Sequence, residues 1–226
     1  MHKKIEDSYY MKNNQKNITI QVDRSHYFTQ YDNIERFISY YYQITSITKT
    51  NPENILEIGV GNKTVSNYLK EAGYTIITCD FDKELKPDIV ADIKNLPLKN
   101  NSFDTVVACE ILEHLPFSEF ESTIKELRRV TRRTLIISLP YSCAYLENNL
   151  KINIPFFQKK LNFSIKIPYF FIKIKLNNKN KEHYWELGSK DCSKSTIRNI
   201  IKKYFNISSE FHPPFNSNHY FFILNK

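Results

Sequence analysis

Gly59 and Gly61 stand one residue apart in the stretch NILEIGVGNKTVSNYL, Asn54–Leu69, and the whole chain of 226 residues holds only four glycines. Glycine reaches backbone angles closed to other residues, so two of them at the end of an apolar run predict a turn that a ligand can approach closely. Three ligand chemistries compete for such a turn. A dinucleotide fingerprint, G-x-G-x-x-G, needs glycine at position 64, where Thr64 stands. A phosphate loop, G-x-x-x-x-G-K-[ST], finds its ending in NKT but has Asn62 and Glu57 in place of its two glycines. A carboxylate at Glu57 would also repel phosphate. The third pattern, E-x-G-x-G, welcomes the carboxylate, because its ligand carries positive charge.

More acidic residues follow at strand ends. Asp80 ends the second strand within TIITCDFD, 19 residues beyond Gly61, where a carboxylate can accept from both hydroxyls of a ribose. Asp82 is the rival for that role. Asp92 is the acidic residue of ADI, and SFD, Ser102–Asp104, opens the apolar run to Cys109. Each alone has a plainer reading, as a buried ion-pair partner, a helix cap or a turn residue.

Taken in order, these stretches resemble the first to fifth motifs of class I S-adenosylmethionine-dependent methyltransferases, over about residues 30 to 140. The resemblance implies S-adenosylmethionine as cofactor, with contacts from Glu57, Gly59, Gly61, Asp80, Phe81, Asp92, Ile93 and Cys109. It implies a Rossmann-like α/β fold: a mostly parallel seven-stranded sheet, helices on both faces and an antiparallel C-terminal strand. Lys63 departs from the small residue usual in this motif. At a helix start its φ is expected to be ordinary and its side chain to point outward, or to meet the methionine carboxylate.

The acceptor is less defined. After the fourth strand the chain reads ACEILEHLP rather than [ND]-P-P-[YF], which disfavours nucleobase amines. No carboxylate set suggests a divalent ion, so no metal is expected, and Glu113 and His114 read as mainly structural. KEHYWELGSKDCS holds the chain's single Trp. With NSNHYFFIL it resembles a bacterial and archaeal branch of the family presumed to act on surface sugars or related small acceptors. His183 with Glu186 three residues on forms a candidate base and its orienting carboxylate. The plainer reading is that Trp185 anchors this segment and His183 only hydrogen-bonds. A small-molecule or sugar acceptor is the leading expectation. RNA or protein methylation, or S-adenosylmethionine binding without turnover, are the alternatives.

The elements that must hold these residues follow from pattern. Asp32 and Glu35 have capping-box spacing before a helix whose apolar face is Ile34, Phe37, Ile38, Tyr41 and Ile44. Strands then alternate with helices: NILEIG, a helix from Thr64 to Ala72 stopped by Gly73, YTIITC, DIVADI and FDTVVAC. A helix capped by Ser118 follows, with Phe120, Ile124, Leu127 and Thr131 inward, then TLIISLP. Nearly continuous apolar strands alternating with helices predict a parallel sheet covered on both faces. A last helix from about Ser193 leads to NISSEF and HYFFIL, which are expected to pair antiparallel. The divisions are 1–30, a polar segment; 31–140, the cofactor half; 141–187, a lid inserted after strand five; and 188–226, the completion of the domain.

Residues 141–182 carry eight Lys against two Glu, much of the net charge of +8. Within them IKIPYFFIKIK, residues 165–175, alternates apolar and basic. A lid over the acceptor is the first reading, contact with an anionic membrane surface the second, and nucleic acid the third. No apolar run is long enough to span a membrane. The N-terminus lacks an apolar signal core, and the four cysteines are scattered without a C-x-x-C pair, which together suit the cytoplasm.

Overall fold

The computed structural model describes residues 24–28, 31–168 and 183–226. Seven strands form the central sheet: β1 Ile55–Ile58, β2 Ile76–Asp80, β3 Ile89–Val90, β4 Phe103–Cys109, β5 Thr131–Pro140, β8 Asn206–Phe211 and β9 His219–Asn225. Their spatial order is β3-β2-β1-β4-β5-β9-β8. β1 lies parallel to both β2 and β4, and β5 is parallel to β4; β9 runs antiparallel to β5 and to β8. The chain order reverses beside β1, which places the ligand crevice of this architecture at the carboxyl ends of β1 and β4.

The strands are apolar on both sides, and neighbouring residues point to opposite cores. Leu56, Val106, Ile137 and Phe222 pack with Phe120, Ile124 and Leu127 of α3, Phe117–Val130, and with Ile197 and Ile201 of α4, Lys194–Ile201. Ile55, Val107, Ile136 and Phe221 pack with Tyr40 and Ile47 of α1, Ile34–Lys49, and with Val65 and Leu69 of α2, Thr64–Glu71. Two helices thus cover each face, as the continuous apolar strands require.

Several local expectations are corrected. The side chain that caps α1 is Asn33, which accepts from the Arg36 amide; Asp32 instead receives the Asn62 amide group and the Tyr40 hydroxyl. The inward face of α1 is Ser39, Tyr40, Gln43, Ser46 and Ile47. Most of the face expected to be inward turns outward: Ile34, Phe37 and Tyr41 are 75%, 55% and 60% exposed, whereas Ile44 packs against the core. Buried polar side chains succeed here because they bond one another, as Gln43 does Ser39 at 3.2 Å. α3 begins one residue before Ser118, with Pro116 at its cap, and Thr131 is its C-cap and the first residue of β5.

The segment after β5 contains a long hairpin, β6 Cys143–Ile154 and β7 Phe157–Pro168, which pair antiparallel outside the central sheet. The core does depend on both ends of residues 141–187. Tyr141, Cys143, Trp185 and Leu187 belong to the main apolar cluster. The Leu187 amide donates to the Pro140 carbonyl at 2.9 Å, and the Ser142 amide to the Leu187 carbonyl at 2.8 Å. The inserted element proper is therefore narrower than its expected bounds. Of the expected lipid-contact stretch, residues 169–175 lie outside the described residues. No helix among the described residues is long and apolar enough to cross a membrane.

Candidate functional site

The turn after β1 has the geometry its glycines foretold. Gly59 has φ 79° and Gly61 φ 47°. A Cβ at Gly59 would lie 1.7 Å from Cδ1 of Ile111, so any side chain there collides with the segment that follows β4. At Gly61 the nearest atom would be in Tyr27 at 3.6 Å, ordinary contact, and the backbone angle alone calls for glycine. Tyr27 brings part of the polar N-terminal segment onto the turn.

Glu57 is buried at the end of β1, and its Oε2 has no hydrogen-bond partner. Burial pushes its carboxyl up to about 7, against the opposing pull of Ser66 and Lys70. Lys63 corrects an expectation. Its φ is 64°, in the left-handed region, and its ammonium reaches the carbonyl of Lys86.

The remaining expected contacts gather at the same edge. Asp80 is buried at the end of β2, and its two oxygens accept from the amides of Val60 and Asp82, each at 2.9 Å. Those bonds tie the glycine turn to β2. Burial raises the Asp80 carboxyl, while the amides pull it down. The rival, Asp82, is buried and caps the turn at Lys83–Leu85 by accepting from the Glu84 amide. Phe81 is exposed and Ile93 buried. Asp92 accepts from the Lys94 amide at 2.9 Å. Cys109 ends β4, half-buried, its thiol pushed up by burial. Glu57, Asp80 and Cys109 thus end strands adjacent in the sheet, and Asp92 follows β3 beside them.

A second group of polar side chains borders the first, and it joins segments far apart in sequence. Glu110 has φ 55°, an unusual conformation outside glycine and a common one at functional sites. Its Oε1 accepts from Ser138 at 2.8 Å, and its Oε2 lies 3.4 Å from Nε2 of His219. His219 Nδ1 meets the Ser39 hydroxyl at 3.1 Å. Burial holds His219 below its ordinary value, against the pull of Glu110. Tyr31, with Arg36 over its ring at 4.4 Å, feels the charges of Glu110 and Glu113.

Glu113 is fully buried, and neither of its oxygens has a hydrogen-bond partner. Burial, and next the nearby Glu110 charge, raise its carboxyl well above the ordinary range. His114 Nε2 lies 4.0 Å from Glu113 Oε1. The segment 183–186 is laid along 113–115 by two bonds: the Tyr184 amide to the Glu113 carbonyl at 2.8 Å, and the Trp185 indole to the Leu115 carbonyl at 3.0 Å. Trp185 is buried edge-on against Phe117 and Phe120. His183 then stands beside His114, ring centroids 5.0 Å apart, with Nδ1 3.1 Å from Glu186 Oε1. The side chains of His183 and Glu186 are 31% and 22% exposed.

Sequence reasoning found His183 and Glu186 and assigned no role to Glu110, Ser138, His219, Tyr31 or Arg36. The positive φ of Glu110 leaves no mark in residue type. His219 lies in NSNHYFFIL, and only the antiparallel pairing of β9 with β5 brings it to Ser138 and Glu110.

Residues 56–137 match the family described as a methyltransferase domain. No curated protein sequence matches the chain. Among solved structures, a Pyrococcus horikoshii OT3 protein superposes with TM-score 0.55 at 14% identity, over 90% of this chain and 99% of that one. The 1,6-didemethyltoxoflavin-N1-methyltransferase of Burkholderia thailandensis, solved with 1,6-didemethyltoxoflavin and S-adenosylhomocysteine, gives 0.57 at 12%, over 89% and 84%. The magnesium protoporphyrin IX methyltransferase of Synechocystis PCC 6803, solved with S-adenosylhomocysteine, gives 0.55 at 15%, over 85% and 83%. At such identities the likeness is one of fold.

Proposed function

We propose that this chain, a class I methyltransferase that uses S-adenosylmethionine, methylates a hydroxyl-bearing small molecule or sugar. The residues present fit the cofactor. Glu57 offers a buried carboxylate oxygen without a partner, which a cationic ligand satisfies. Gly59 and Gly61 keep the turn free of side chains. The resemblance assigns Asp80 to the ribose hydroxyls, and Asp92 and Ile93 to the adenine. When bound, S-adenosylmethionine supplies an electrophilic methyl group on a sulfonium.

The observation that carries the acceptor reading is the His183–Glu186 pair. It is partly exposed and stands beside the segment, Glu110–His114, whose Ile111 closes on Gly59. A hydroxyl needs help in losing its proton, whereas an amine chiefly needs to be neutral. Glu186 holds one ring nitrogen of His183, which leaves the other to face an arriving hydroxyl. Much of the remaining gain comes from alignment. The test is methyl transfer by the purified protein to separate panels of hydroxylated small molecules, sugars, RNA and proteins, read by mass. Product from RNA or protein alone rejects the reading. Tight cofactor binding without any product, across all panels, favours a binding protein.

A second reading, a lipid-linked acceptor, is favoured by the β6–β7 hairpin. Cross-strand pairs Leu146–Ile165 and Leu150–Leu161, with Phe163, put exposed apolar side chains on one face. The other face pairs Lys151 directly with Lys160 and Tyr145 with Lys166. Like charges set opposite repel one another unless an anion joins them, and an amphipathic basic element of this kind suits an anionic bilayer surface. Sedimentation with vesicles of anionic against zwitterionic lipid tests it: equal binding to both, or to neither, rejects it.

A further inference from the structure

We propose that Glu113, His114 and His183 form a binding site for one divalent transition-metal ion at the acceptor side of the cofactor crevice. One ligand atom from each of the three lies within 4.8 Å of the others. Metal–ligand bonds of about 2.0–2.2 Å put tetrahedral ligand atoms roughly 3.4 Å apart, so closure by about 1 Å completes the set. His114 and His183 are both partly exposed.

Three independent features point to a cation. Glu113 is completely buried with both oxygens unpartnered by any hydrogen bond, an arrangement that is costly without a positive partner. Glu186 bonds Nδ1 of His183, the usual way in which a carboxylate orients an imidazole so that its other nitrogen binds metal. The surroundings are also acidic, with Glu110, bonded to Ser138, and Glu186, bonded to His183, bordering the group. Glu110 is a neighbour rather than a ligand, since Ser138 and His219 already engage its oxygens.

The donor set defines the ion. Two imidazoles and a carboxylate suit zinc, manganese, iron(II) or cobalt, and are poor for calcium or magnesium, which prefer oxygen. Three protein ligands leave positions open, the pattern of catalytic rather than structural sites. The use of those positions rests on the methyl-transfer reading: an acceptor hydroxyl held there loses its proton to solvent more readily, as metal-bound water does. With the ion bound, His183 acts as its ligand and the ion ionises the acceptor; without it, the same nitrogen of His183 faces the acceptor as the base described above. The binding site itself does not depend on that reading.

Metal-stripped full-length protein titrated with Co²⁺, read by visible absorption and calorimetry, should bind one ion per chain, and Zn²⁺ should displace it. His183→Ala and Glu113→Gln should abolish saturable binding, and Glu186→Gln should weaken it by about 10- to 100-fold. S-adenosylhomocysteine binding, measured on the same samples, reports that each variant is folded. If Glu113→Gln does not fold, His114→Asn and His183→Asn carry the test. The proposal is overturned if the wild type binds none of Co²⁺, Mn²⁺ or Zn²⁺ one to one, or if folded His183 and His114 variants keep wild-type Co²⁺ affinity. Metal binding without methylation of any acceptor leaves the site standing and removes the methyl-transfer reading. Undiminished methylation by metal-free protein removes the catalytic use.

Discussion

The amide of Tyr184 donates to the carbonyl of Glu113 at 2.8 Å, and this bond lays a segment from beyond the hairpin along the turn after β4. Its consequence is the meeting of His183 with His114. Trp185 locks the register by donating to Leu115 and filling a pocket against Phe117 and Phe120. Anchoring and the proposed chemistry therefore fall to neighbouring residues: Trp185 holds the segment, and His183, partly exposed, is the proposed base.

That division predicts separate effects for the two side chains. His183→Ala should lower turnover by about 10²-fold or more, the scale for losing the group that assists proton removal, while thermal stability stays near wild type. Trp185→Ala should cost about 3–5 kcal/mol of stability, as large aromatic-to-alanine changes in a core do. Denaturant unfolding and steady-state kinetics on both variants check this. A His183 variant whose only defect is a raised KM would show that it merely shapes the acceptor site.

Most strands of the central sheet were readable because they are apolar runs between turn residues, and FDTVVAC and NISSEF match their observed bounds residue for residue, whereas β6 and β7 were not read as strands. The rotation of α1 was not readable. Its apolar stripe, Ile34, Phe37 and Tyr41, is the natural choice for a core face, yet Ser39, Gln43 and Ser46 are inside, where Ser39 also meets His219. Periodicity reports that a helix has two faces and not which one the sheet takes. The residues expected at the cofactor were legible as a group because they follow one another along strand ends. The Glu113–His114–His183 group was not, because its members meet only through the Tyr184 and Trp185 bonds.

Glu57 should make both stability and cofactor binding depend on pH. Its carboxyl is raised from 4.5 to about 7 in the folded protein. A raised acid contributes most below its unfolded value and loses that contribution as pH rises through the folded one, here a span worth roughly 3 kcal/mol. The ligand-free protein should therefore lose stability relative to Glu57→Gln between about pH 5 and about pH 8. S-adenosylmethionine, being cationic, should bind more tightly over the same rise and displace a proton. Calorimetry in two buffers of different ionisation enthalpy measures that proton; a flat affinity with no proton released rejects Glu57 as a contact.

Asp80 has two tasks, and its variants should divide them. Asp80→Ala should weaken S-adenosylmethionine by at least about 1.5–3 kcal/mol, the range for hydrogen bonds to a charged group. It should also loosen the glycine turn, because the Val60 and Asp82 amides lose their acceptor. Asp80→Asn keeps an oxygen for one amide and should restore more stability than affinity. Unchanged affinity in the alanine variant would move the ribose contact to Asp82.

Lys63 occupies a left-handed conformation at the start of α2, which costs a residue with a Cβ about 1–2 kcal/mol. Lys63→Gly relieves that strain and gives up the ammonium contact to Lys86. The variant should fold with stability equal to or above wild type and bind the cofactor at least as well. A large loss of affinity with the fold intact would make Lys63 a cofactor ligand, reaching the methionine carboxylate instead of Lys86.

The hairpin should be separable from the cofactor site, provided the cut respects its base. Glu147 accepts from the Phe215 amide at 2.8 Å and from the Ser217 hydroxyl at 2.9 Å, so it ties β6 to the loop before β9. Tyr141 and Cys143 lie in the core. Beyond Asn148, paired with Phe163, the strands carry exposed apolar residues on one face, joined there by Lys159, and Lys151 and Lys160 on the other. Replacing residues 149–162 by a short Gly/Ser turn keeps every one of those base contacts. The shortened protein should bind S-adenosylhomocysteine with wild-type affinity and unfold at nearly the wild-type temperature. Methylation of the acceptor should fall steeply if the hairpin forms one wall of the acceptor site. If it serves only to reach a membrane, methylation of a soluble acceptor analogue should survive while vesicle binding is lost. Loss of S-adenosylhomocysteine binding would instead place the outer hairpin within the folding unit of the sheet.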